Sequence, residues 1–149
     1  MKSHSILRFL RFWPPMLGAG IRAHWLDDDM RSVDVVMKLR FWNVNYVGTH
    51  YGGSLYSMAD PFYMLMLLHN LGPDYIVWDK AATIRFRKPG KGTVRAQFRM
   101  TEADLADIRS KLETQKKYEP TFRVNITDEA GDVVAEVEKL IYIRKKAPK

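Results

Sequence analysis

The feature that most constrains this chain is one long segment that is apolar on nearly every side. From about Gly53 to Leu71 it contains Ser54-Leu55-Tyr56-Ser57-Met58-Ala59-Asp60-Pro61-Phe62-Tyr63-Met64-Leu65-Met66-Leu67-Leu68-His69. A helix that is apolar all round has to be buried on most of its surface, so the rest of the chain must wrap it. The longest unbroken apolar run, Phe62 to Leu68, is too short to span a bilayer.

The wrapping material is β-structure. Val33, Val35, Met37 and Leu39 alternate with Asp34, Lys38 and Arg40, and Val94, Ala96 and Phe98 alternate with Arg95, Gln97 and Arg99. The same period of two runs through Ile84 and Phe86, through Phe122, Val124 and Ile126, and through Val133, Ala135, Val137, Ile141 and Ile143. Such alternation marks antiparallel sheet with one buried and one wet face. Ile21 to Leu26 is a weaker first strand, ended by the turn-like Asp27-Asp28-Asp29. Lys88-Pro89-Gly90-Lys91-Gly92 and Asp128-Glu129-Ala130-Gly131-Asp132 read as hairpin connections. A second, amphipathic helix is predicted from Thr101 to about Lys117, with Thr101 and Asp104 placed for a capping box.

These elements predict one α+β domain over residues 1–149. An antiparallel sheet of about six strands curls around one long central helix, with extra N-terminal and inserted helices. Residues 1–15 are expected to form an N-terminal helical segment that Pro14-Pro15 stops, and residues 144–149 a basic tail. Phe9, Phe12 and Trp13 beside Arg8 and Arg11 allow two readings of that segment: packing on the domain or a partner subunit, or peripheral contact with a membrane.

The chain contains no cysteine, which excludes disulfides, thiolate zinc sites and a cysteine nucleophile, and agrees with a cytoplasmic location. No clustered ligand set suggests a metal. A formal charge of +7 attracts phosphates of any kind. No nucleic-acid-binding motif accompanies it, so no nucleic acid is expected as a partner.

The residues that carry chemistry centre on Asp60, the one acidic residue of the apolar helix. A buried carboxylate takes up a proton or finds a partner, so Asp60 either pairs with a nearby base or works as one. Gly52-Gly53 opens the helix, where unpaired N–H groups can stabilise an oxyanion. Asp60 lies about two turns beyond Gly53 on roughly the same side. Arg85, Arg87, Lys88 and Lys91 gather near one predicted hairpin, as a solvated face or as contacts for phosphates.

The stretch Asn45-Tyr46-Val47-Gly48-Thr49-His50-Tyr51-Gly52-Gly53-Ser54-Leu55-Tyr56-Ser57-Met58-Ala59-Asp60 resembles the signature of hot-dog-fold thioesterases of the phenylacetyl-CoA-pathway type. Asn45, Gly48, Gly52, Gly53, Ala59 and Asp60 fall in register with it. The run around Gly48, Ile84 to Pro89 with Gly92, and Asp128 to Gly131 also resemble a family of bacterial proteins described as thioesterase-like with this fold. The resemblance implies hydrolysis of acyl-CoA, with CoA as part of the substrate and no further cofactor. It implies Asp60 as general base or nucleophile, the Gly53 N–H on the thioester carbonyl, and Asn45 positioning that carbonyl or the water. It places Gly48, His50, Tyr51 and Gly52 around the substrate, with the basic residues toward the CoA phosphates. It also implies a composite site in a homodimer or a dimer of dimers (a tetramer). Two departures keep a non-catalytic acyl-CoA or lipid holder open: Tyr51 stands where the family has His, with His50 one place earlier, and Pro61 directly follows Asp60.

Overall fold

The computed structural model describes residues 9–148. After a single 3-10 turn at Leu10–Phe12 come α1 (Pro14–Ala19), β1 (Ile21–Trp25) and β2 (Ser32–Lys38). Two helices, α2 (Gly52–Ser57) and α3 (Phe62–Leu71), lead into β3 (Tyr75–Phe86) and β4 (Thr93–Arg99). Then follow α4 (Glu102–Thr114), β5 (Thr121–Thr127) and β6 (Val133–Lys145). The six strands form one antiparallel sheet in the order β1-β2-β4-β5-β6-β3. It curls around α3 in the hot-dog arrangement.

Aromatic contacts show the wrapping directly. Phe62 of α3 meets Trp25 of β1 at 6.3 Å and Phe98 of β4 at 5.1 Å between ring centroids. Tyr63 packs on Phe98 and stacks on Phe122 of β5 at 4.8 Å. Burial pushes the Tyr63 phenol up to about 12, and its hydroxyl is satisfied by donating to the Arg123 carbonyl at 2.8 Å. Phe62, Met66 and Leu67 are fully buried. The inserted helix α4 carries the expected capping box between Thr101 and Asp104, and it buries Leu105, Ile108 and Leu112.

Three expectations are corrected and one is extended. The central helix is not continuous: it breaks between Ser57 and Phe62, because Pro61 has no N–H to extend the first helix. The helical turn at Leu10–Phe12 does end before Pro14-Pro15, and the same two prolines begin α1, since the first turn needs no N–H donors and proline presets the backbone angle. The Lys88–Gly92 connection is not a hairpin. It carries the chain across the sheet, because β3 pairs with β6 while β4 pairs with β2 and β5. Finally, Arg144 and Lys145 lie inside β6 opposite Ile76 and Tyr75, so any tail begins at Lys146. Of the N-terminal segment, residues 1–8 lie outside the described residues, as does Lys149. Among the described residues no helix is long and apolar enough to cross a membrane.

One irregularity shapes the site. The register of β3 against β6 shifts between Asp79 and Ala81, with Lys80 as the extra residue. A bulge of this kind reverses which residues face inward. Tyr75, Val77 and Asp79 point in before it, and Ile84 packs on the core after it.

Candidate active site

Asp60 sits at the seam between α2 and α3, and the seam is polar. Its Oδ1 accepts from the Tyr56 hydroxyl at 2.9 Å and from Lys139 Nζ at 3.0 Å, whereas Oδ2 takes no part in these bonds. Lys139 reaches across from β6 and is fully buried. Its ammonium also donates to Tyr56 Oη at 3.1 Å and to the Asp60 carbonyl at 3.0 Å. Asp79 Oδ1 lies 3.1 Å from the same nitrogen, off its hydrogen-bonding directions, so it adds charge without a hydrogen bond. The Asp60 side chain is 47% exposed and that of Asp79 23%, so the cluster is sealed on the lysine side and open on the side of Asp60.

Charge explains how these groups coexist. Burial works against the Lys139 charge. Hydrogen bonds with Tyr56 and Asp60 and the charges of Asp60 and Asp79 outweigh it, and hold the ammonium above its ordinary value. Burial raises the Asp79 carboxyl despite Lys139, and burial likewise raises the Tyr56 phenol. Of this cluster the sequence reading singled out only Asp60. A signal for Lys139 was present: position 139 falls in the inward parity of β6, between Val137 and Ile141.

The glycine pair opens α2, whose N-cap Tyr51 makes no side-chain capping bond. The first N–H groups of a helix have no partner inside it, so those of Gly52 and Gly53 are not consumed by α2. Both positions are crowded. A Cβ on Gly52 would come 3.0 Å from the Phe86 ring, and one on Gly53 2.6 Å from the Tyr51 ring. Gly53, Ser54 and Ser57 form one wall of an open cleft of about 560 Å³, with Pro14, Gly18, Trp42, Asn45 and Tyr51 among the others.

Asn45 uses all its hydrogen-bonding capacity within its own loop. Its Oδ1 accepts from the Val47 and Thr49 N–H groups, and its Nδ2 donates to Thr49 Oγ1 and the His50 carbonyl. Gly48, at φ +82°, turns that loop. His50 is buried: its backbone N–H donates to the Gly90 carbonyl and its Nε2 to the Gly92 carbonyl, both at 2.9 Å. These two bonds tie the loop carrying Lys91 to the start of α2. Burial lowers the His50 pKa, with the Gly92 bond working the other way, and Nδ1 has no partner.

A family model described as a domain of unknown function, DUF4442, matches residues 4–143. The chain belongs to the DUF4442 family. No curated protein matches it. A protein of unknown function from Pseudomonas aeruginosa, described as a probable thioesterase, superposes with a TM-score of 0.81. It is 26% identical, with 96% of each chain covered. A protein of unknown function from Chlorobaculum tepidum gives 0.76 at 18% identity, covering 97% of this chain and 94% of that one. The E. coli PaaI protein of the phenylacetic acid degradation operon gives 0.64 at 17% identity, covering 99% and 92%. These last two establish the fold alone.

The remaining candidates are spread around the DUF4442 domain. Arg85 lies on the outer face of β3 opposite Glu136, and Arg87 directly follows the end of that strand. Arg87 is paired with Glu136 at 2.6 Å, and Lys88 with Asp128 at 2.7 Å and Asp132 at 2.9 Å. Lys91 is exposed on the crossover loop. The fold therefore gathers His50, Tyr51, Gly52, Gly53 and the Lys91 loop at one end of α2. It does not bring Arg85 and Arg87 to that place within one protomer.

Proposed function

We propose that the protein hydrolyses an acyl thioester, with acyl-CoA as substrate, at a site completed between two copies of the chain. The observation that carries this reading is the state of Asp60. One carboxylate oxygen is tied by Tyr56 and Lys139, and the other is not engaged, on a half-exposed side chain of the helical seam. That is the arrangement a general base needs: fixed in direction, with an acceptor left over. The fold and the resemblance of the 45–60 stretch to a thioesterase signature support it.

In this mechanism the thioester carbonyl oxygen lies against the Gly53 N–H. Asp60 Oδ2 takes a proton from a water whose oxygen attacks the carbonyl carbon. As the tetrahedral intermediate collapses the C–S bond breaks, and the departing sulfur receives the proton held by Asp60. The products are a carboxylic acid and a free thiol. Within one protomer Gly53 opens on the α1–α2 cleft, whereas Asp60 faces β6 and β3. A second copy opposing the seam would bring its Asp60 to the first copy's Gly53. CoA belongs to the substrate, and the scheme uses no other cofactor.

The test is thiol release from a panel of aliphatic and aromatic acyl-CoAs. Asp60→Asn should lower turnover by about 10²–10⁴-fold, the worth of general-base help, with KM little changed. Full activity in that variant would refute the mechanism. The Tyr51 ring packed on Gly53 favours a second reading, a holder of intact acyl-CoA. Thermal stabilisation by acyl-CoA with no thiol released would select it.

A further inference from the structure

The buried lysine has a part that the hydrolytic scheme has not yet given it. Lys139 is the one lysine among the buried residues, and its side chain is 0% exposed. Placing a charged ammonium there is costly unless it is paired and hydrogen-bonded, and a methionine or leucine would fill a strand position between Val137 and Ile141 without that cost. What the ammonium does is directional. It donates to the hydroxyl oxygen of Tyr56, and Tyr56 and Lys139 both donate to the same oxygen of Asp60. The three groups close a triangle around Oδ1, which fixes the carboxylate plane and leaves Oδ2 as the acceptor that is not engaged. Asp79 supplies a second negative charge to the lysine from the bulge in β3 without competing for its hydrogen bonds.

We propose that Lys139 is a positioning residue, acting with Tyr56, that holds the Asp60 carboxylate turned so that Oδ2 faces the attacking water. This rests on the thioesterase reading above, and it adds two residues outside the 45–60 signature's matched positions. Neither touches the substrate; both act through Asp60. A misplacement of about 1 Å in a catalytic group costs on the order of 10²-fold in rate, so loss of the lysine registers in turnover and not in substrate binding.

The experiment measures kcat and KM for acyl-CoA hydrolysis in Lys139→Met and Tyr56→Phe, each made in the parent and in Asp60→Asn. Lys139→Met should lower kcat about 10- to 100-fold with KM within about twofold. Tyr56→Phe removes one hydroxyl donor from a half-buried site and leaves the lysine in place, so it should fold even if Lys139→Met does not. It should lower kcat about three- to tenfold, the size of one net hydrogen bond. In the Asp60→Asn background both effects should shrink toward nothing, because the group they act through is already disabled. A purely structural role would instead persist there. Parent-like kcat in both variants, or losses that remain undiminished beside Asp60→Asn, would overturn the assignment while leaving the thioesterase reading intact. A folded parent that hydrolyses no thioester in the panel would overturn the reading itself, and the assignment with it.

Discussion

Single residues in this chain are held by contacts that their position in sequence does not announce. His50 shows it best. Its Nε2 must donate, because the Gly92 carbonyl can only accept, so the neutral ring carries its lone pair on a buried Nδ1 with no partner. Protonation would place a charge there, and burial accordingly lowers the His50 pKa. With the folded value below the unfolded one of about 6.5, His50 favours folding above that pH and withdraws its support as pH falls through the folded value. Melting temperatures of the parent should therefore begin to drop as pH falls below about 6.5. His50→Gln, which keeps a donor for Gly92, should flatten that slope; an unchanged slope would remove His50 from the account. None of this could be read from the sequence, where His50 is a histidine one place away from a family position. Asp60 was legible as the one acid of an apolar helix, and Lys139 as a lysine at an inward strand position, but not the pairing of the two, because they lie 79 residues apart.

At the scale of elements, alternation read the strands whose pleat is regular and failed where it is not. β2, β4 and β5 keep one parity and were recognised almost to their ends, as was β6 from Ala135 onward, beyond a register shift that buries Val134 in place of Val133. β3 was recognised only from Ile84 onward, because the extra residue at Lys80 breaks the period and splits one strand of twelve residues into two unmatched halves. The apolar helix was overread for the opposite reason, since uniform hydrophobicity hides a break. Pro61 caps α3 and is not inside a helix. A proline in a helix interior costs ~3 kcal/mol relative to alanine, but this one occupies a position where no N–H is required. Pro61→Ala should thus change stability by less than about 1 kcal/mol in urea unfolding. A gain near the full interior value would mean that the seam is a strained helix and not two helices.

The whole molecule leaves large apolar side chains uncovered at the end of the domain that carries the glycine pair. Phe41, Tyr46 and Val47 on the loop before α2 are largely exposed, and Tyr51 and Phe86 are more than half exposed. The twelve-residue β3 is an edge strand with one side unpaired, a side that proteins ordinarily cover. Light scattering at low micromolar concentration should give twice the chain mass or a multiple of it, and a stable folded monomer would contradict the composite site. The sheet order has a further consequence for how the chain reaches this state. β6, the last strand of the sheet in chain order among the described residues, lies inside it between β5 and β3, so β3 and the helical seam wait for residues 133–145. A growing chain lacks that joining strand until then, and pairing β3 over such a separation is slow. The domain should therefore acquire protease resistance only once β6 has been made, and a chain cut before Lys139 should have no native subset to fall back on.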